Sequence, residues 1–128
     1  MIAADTSTWI AFLEGGTGKD VRLLDHALEN RQVAMVPAVL TELLSDPKLP
    51  PAVAKTLSDL PLIRIEAGYW QRAGMLRAKA LAKRRKARLG DALTAQSCAD
   101  GGIPLLTRDQ DFRAFAEAAG LKLVLGLD

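Results

Sequence analysis

The chain is poor in the residues that most often carry nucleophilic or metal chemistry. Its one cysteine, Cys98, excludes an internal disulfide framework and any multi-cysteine zinc site. Its one histidine, His26, makes a two-histidine metal site impossible, and any Ser-His-Asp or Cys-His hydrolase would have to use that residue. Aromatic residues are 5% of the chain, so base stacking by Tyr69 and Trp70 is a weaker expectation than core packing for Trp70, Met75, Trp9 and Phe12. No apolar run approaches the ~18 residues of a membrane span, and the first residues lack the basic-then-apolar pattern of a secretory signal. The expectation is a cytoplasmic chain with no membrane partner.

What is present is 128 residues, 49% hydrophobic and 25% charged, as expected of a single globular domain over residues 1–128. The net charge of +2 conceals an asymmetry. Eight basic residues (Arg72, Arg77, Lys79, Lys83, Arg84, Arg85, Lys86 and Arg88) fall between Ala67 and Gly90 with no acidic residue among them. The rest of the chain then holds 9 basic against 15 acidic residues. A strongly cationic segment on an anionic body points to an anionic partner near that segment.

Hydrophobic periodicity and breakers predict alternating strands and helices. Strands are expected at Ile2–Ala4, Gln32–Val36, Leu62–Ile65, Ile103–Leu106 and Leu121–Leu125. Helices are expected after Thr6 and Ser7, from Lys19 to Asn30, after Pro37, from Pro51 to about Asp59, from Gly68 to Lys86, from Gly90 to the Gly101-Gly102 pair, and from Asp109 or Asp111. Strands this short and apolar belong in a mostly parallel sheet covered by helices on both faces.

In such a sheet, ligands bind beyond the carboxyl ends of the strands. Asp5 follows the first strand directly, Asp109 follows the Ile103–Leu106 strand, Glu42 lies about one and a half turns into the helix after the second strand, and Asp91 stands at a helix start. Taken singly these residues read as N-caps, a turn residue and a solvated helix position. Taken together they can converge. Two carboxylates ~5 Å apart at an effective dielectric of ~20 repel by about 3 kcal/mol, so a cluster of four asks for a cation or for protons. Carboxylate oxygens with bound water are the ligand set of Mg²⁺ or Mn²⁺.

Three stretches carry a resemblance: Ile2-Ala3-Ala4-Asp5-Thr6-Ser7, Val36-Pro37-Ala38-Val39-Leu40-Thr41-Glu42-Leu43, and Leu89-Gly90-Asp91-Ala92-Leu93-Thr94-Ala95-Gln96 running on to Ile103-Pro104-Leu105-Leu106-Thr107-Arg108-Asp109-Gln110-Asp111-Phe112. In order and spacing they resemble PIN-domain nucleases, especially the VapC-like toxins of bacterial and archaeal toxin–antitoxin pairs. The resemblance implies a three-layer α/β/α sandwich with a central mostly parallel sheet. It implies a Mg²⁺- or Mn²⁺-dependent endoribonuclease whose acidic metal ligands and catalytic residues are Asp5, Glu42, Asp91 and Asp109. Asp111 is a competing candidate for the fourth place, and Ser7 and Thr107 match supporting hydroxyls. A cognate VapB-like antitoxin, an RNA substrate and a homodimer are implied as partners. Metal-activated water would then serve as nucleophile, and no histidine base would be needed.

The run Lys83-Arg84-Arg85-Lys86-Ala87-Arg88 ends three residues before Asp91, where it could hold an RNA backbone; as a helix end it would also complement the helix dipole. Gly15-Gly16-Thr17-Gly18-Lys19 suggests a phosphate loop, but Leu13 and Asp20 occupy the positions that need Gly and Ser or Thr, and a helix precedes it. Two other function classes remain open. A signalling receiver would want an adjacent acidic pair after the first strand, where Thr6 follows Asp5. A catalytically inactive PIN-like module binding RNA or a partner would keep the fold without needing all four acids.

Overall fold

The computed structural model describes residues 1–126. At its centre three short parallel strands, β1 (Ala3–Ala4), β2 (Leu105–Thr107) and β3 (Leu123–Leu125), lie in the order β1-β2-β3, with Ala3 opposite Leu105 and Leu105 opposite Leu123. Around them stand, among the described residues, α1 (Thr6–Leu13), α2 (Lys19–Glu29), α3 (Pro37–Leu44), α4 (Pro51–Ser58), α5 (Tyr69–Ala82), α6 (Leu89–Gly101) and α7 (Phe112–Ala119). The sandwich expected from the alternation is therefore present. No described helix is long and apolar enough to cross a membrane.

The expected strands at Gln32–Val36 and Leu62–Ile65 are reduced to isolated parallel bridges, Ile2 to Val33 and Met35 to Leu62. These still extend the sheet outward from β1: the Ala34 N–H donates to the Ile2 carbonyl at 2.9 Å and the Ile63 N–H to the Met35 carbonyl at 2.9 Å. Pro37 then starts α3 at once and leaves no length for a longer ladder. The core between the layers is made of Trp9, Leu24, Met35, Val36, Val39, Leu105, Leu106, Phe112 and Phe115, all at most 2% exposed. Trp70 and Met75, expected in the core, are instead 64% and 63% exposed, because α5 turns its small residues Ala73 and Ala80 and its Leu76 inward.

Two helix boundaries differ in ways that matter for function. α5 ends at Ala82, so the basic run forms a loop between α5 and α6 and is not a helix end. α6 begins at Leu89 with Arg88 as its N-cap, so Asp91 is not a cap and sits within the first turn.

Candidate active site

Asp5 leaves β1 and caps α1. One of its carboxylate oxygens, Oδ1, accepts from the Thr8 N–H at 3.1 Å and from the Ser7 hydroxyl at 2.7 Å; the other, Oδ2, accepts from the Thr107 hydroxyl at 2.6 Å. Each hydroxyl is held in turn by the turn after β2: the Arg108 N–H donates to Ser7 Oγ at 3.1 Å and the Asp109 N–H to Thr107 Oγ1 at 3.0 Å. Two serial hydrogen bonds thus tie the ends of adjacent parallel strands together and fix the orientation of one carboxylate. Ser7 and Thr107 both donate to the Asp5 carboxylate, and Asp5 itself is the N-cap of α1.

Asp5 is 5% exposed. Burial pushes its carboxyl above the usual carboxylate range, outweighing the three hydrogen bonds, and the charge of Asp109 pushes the same way. Asp91 is driven further, to about 6: burial contributes most, followed by the charges of Asp109, Asp5 and Glu42, with Arg88 opposing. Glu42, exposed on α3, reaches the start of α6, where a Cβ on Gly90 would come within 3.1 Å of its Oε1. The charges of Asp5, Glu42 and Asp109 therefore all bear on Asp91, and that of Asp109 also on Asp5. As the side chains stand, no three histidine, cysteine, aspartate or glutamate residues among those described are grouped closely enough to grip one ion.

Asp111 plays a different part. It is the N-cap of α7, its N–H donates to Asp109 Oδ1 at 2.9 Å, and its carboxylate faces Lys86 at 3.8 Å. Asp109, and not Asp111, is among the charges that add to burial in raising Asp5 and Asp91. Thr6 Oγ1 is buried with no protein partner among the described residues, and Thr6 borders a groove of about 140 Å³ that Glu42, Glu14 and Asp46 also line.

Sequence reasoning missed the support under this site. Asp20, fully buried on α2, accepts from Arg108 Nε at 2.8 Å, from Arg108 Nη2 at 3.1 Å and from the Thr8 hydroxyl at 2.7 Å, and Arg108 also donates to the Thr17 carbonyl. Burial pushes the Asp20 carboxyl up, but the bonds from Arg108, Thr8 and Val21 outweigh it and hold it below the ordinary range. The glycine-rich turn is thus a strap that delivers Thr17 and Asp20 to Arg108. Pairings across 88 residues leave no periodic trace in a sequence. Tyr69, a stacking candidate, is buried and donates from its hydroxyl to the Leu93 carbonyl at 2.7 Å. His26 is exposed and Cys98 fully buried, its thiol pushed up to about 12 chiefly by burial.

The sequence pattern of the PIN domain matches residues 2–118. The chain belongs to the PIN-domain family. The fold is shared with VapBC2 of Rickettsia felis bound to a promoter DNA fragment (TM-score 0.74, 22% identity, 98% of each chain covered). It is shared also with VapBC-5 of Mycobacterium tuberculosis, a member of the VapBC family of toxin–antitoxin systems (TM-score 0.70, 22% identity, 97% of each chain covered). DNA-bound VapBC of Salmonella typhimurium is similar at TM-score 0.71 and 19% identity, over 97% of this chain and 98% of that one. Among curated protein sequences none matches the chain.

Proposed function

We propose that this PIN domain is a divalent-metal-dependent endoribonuclease, the toxin of a toxin–antitoxin pair. The observation that carries the reading is Asp91, a carboxyl pushed to about 6 by burial and by three other carboxylates with only Arg88 opposing. Such uncompensated charge is costly to keep unless a cation uses it. The donor set fits Mg²⁺ or Mn²⁺: every candidate ligand of Asp5, Glu42, Asp91 and Asp109 is a carboxylate oxygen. Such an ion lowers the pKa of bound water and offsets charge on a phosphodiester under attack.

The chain's own residues supply orientation and substrate contact. Ser7, Thr8 and Thr107 hold Asp5 in one rotamer. Lys83, Arg84, Arg85, Lys86 and Arg88, exposed on the loop that leads into α6, hold the phosphate backbone of RNA close to Asp91. The antitoxin is proposed because the solved structures that share this fold include VapBC structures, one of them described as a member of a family of toxin–antitoxin systems. An apolar concavity of about 250 Å³ lined by Trp9, Phe12, Leu28 and Leu57 offers it a seat on α1, the helix that Asp5 caps. A homodimer is proposed from the exposed face of α5, where Trp70, Gly74, Ala78 and Leu81 follow at helical spacing.

Incubation of the purified protein with a panel of RNAs in Mn²⁺ or Mg²⁺, and again with chelator, tests the reading. Cleavage is expected with metal, lost with chelator and lost in Asp5→Asn and Asp91→Asn. RNA retained but uncut in Mn²⁺ would establish the inactive binding module instead, and cleavage that survives both substitutions would reject the acidic site.

A further inference from the structure

We propose that the cleft between the end of α5 and α7 is a nucleotide subsite of the RNA track, taking a phosphate on Lys79, Lys83 and Arg85 and reading a guanine edge with Glu117. It rests on the proposed RNA-nuclease reading and names which part of the substrate is read. The cleft has a volume of about 320 Å³, within the range of small-molecule sites, and alanines of both helices, Ala80 and Ala114 among them, form its floor. Three cations and one carboxylate share it, yet none of the four is ion-paired within 4 Å among the described residues.

Local structure points the cations at a ligand. Lys79, in the last turn of α5, and Lys83, the C-cap four residues on, repel each other with no acidic residue in the helix to offset them. The turn after α5 closes with the Arg84 N–H on the Leu81 carbonyl at 2.9 Å and the Arg85 N–H on the Ala80 carbonyl at 3.0 Å. That closure puts Arg84 in the left-handed region, φ 56°, where glycine is the relaxed choice. The turn sends the chain back, so that Arg85 joins Lys79 and Lys83 on the wall of the cleft.

Both walls lead to the acidic cluster. The loop continues through Lys86, paired with Asp111, to Asp91; α7 runs back from Glu117 to Asp111, about 9 Å along the helix axis. On that helix Ala114, Glu117 and Ala118 share one face. A strand held at the acids would therefore lay a neighbouring nucleotide in the cleft. There an apolar floor suits a base plane, and the cationic wall suits its phosphate. A carboxylate accepts best from adjacent N–H donors, and on its Watson–Crick edge guanine presents two, N1–H and N2–H, matching the two oxygens of Glu117.

Amide NMR titrations of the whole chain in chelator, with GMP, AMP, CMP, UMP and inorganic phosphate, test the subsite apart from catalysis. GMP is expected to bind about tenfold more tightly than the other nucleotides, with shifts gathered on Lys83, Ala114, Glu117 and Ala118. Glu117→Ala should remove the preference for GMP, and the Lys83→Ala/Arg85→Ala double variant should weaken all four nucleotides. Equal binding of inorganic phosphate and every nucleotide, shifts elsewhere, or no binding overturns the proposal. In the cleavage assay, a wild type and Glu117→Ala that cut the same RNAs at the same positions also overturn it, while the nuclease reading stands. GMP held in the cleft of a protein that cuts no RNA supports the subsite and removes the nuclease reading.

Discussion

Replacing Asp91 by Asn should make the protein more stable at neutral pH while abolishing cleavage. The Asp91 carboxyl titrates at about 6 in the folded chain against 3.8 for an unperturbed group. Between those values the folded protein holds a proton that the unfolded chain has released, so stability falls as pH rises through that window and stays lowered above it. The difference caps the cost at about 3 kcal/mol, and screening of a partly exposed carboxylate brings the expectation to about 1–2 kcal/mol. Asn keeps the shape and carries no charge.

In chelator at pH 7.5 the variant should therefore melt higher by about 4–8 °C, a gain that shrinks towards zero as pH approaches 4. Saturating Mn²⁺ should raise the wild-type melting temperature and erase the variant's advantage, because the ion stabilises only a folded chain that binds it. Thermal melts from pH 4.5 to 8, with and without Mn²⁺, read all three effects. An Asn variant no more stable than wild type at pH 7.5, or one whose advantage is the same at pH 4.5 and 7.5, would refute the claim that clustered charge is stored at Asp91.

Arg108→Ala should cost about 3–5 kcal/mol in urea unfolding, because it strands the buried Asp20 carboxylate; adding Asp20→Asn should recover part of that loss. Thr107→Val removes the hydroxyl shared by Asp5 and the Asp109 N–H and should cost about 1–3 kcal/mol together with most of the cleavage rate. Gly90→Ala should leave the fold as stable or firmer by about 0.5–1 kcal/mol, since α6 gains a helix former, yet lower cleavage, because its Cβ would meet Glu42 Oε1 at 3.1 Å and push that carboxylate aside.

The parts legible in the sequence were those set by short-range rules. Apolar runs bounded by glycine and proline located α1 to α4 closely, and the strand-end rule placed Asp5 and Asp109 on the same edge of the sheet. The parts that were not legible depend on partners far along the chain. Whether Gln32–Val36 forms a ladder or two bridges is decided by the helix start at Pro37 and by pairing with Ile2 and Pro61. The exposure of Trp70 and Met75 follows from which face of α5 meets α6 and α7, and a helix with apolar residues on several faces leaves that choice to its neighbours.

Asp20 shows how the two kinds of information combine. Local reading gives it a bland place in the first turn of α2, behind a false phosphate loop. In the fold it is fully buried and bound to Arg108, whose own N–H holds Ser7 against Asp5. A buried ion pair adds little to stability over a well-packed apolar pair, but it is intolerant of misplacement because either charge alone is costly. Its value here is register: it fixes residue 108, and through residues 107 and 109 it fixes the partners of the site's most buried carboxylate. Arg108→Lys tests that argument. Lysine keeps the charge but cannot make the forked contact to both Asp20 oxygens. Cleavage should fall further than stability does, and equal losses of the two would reduce Arg108 to a structural residue.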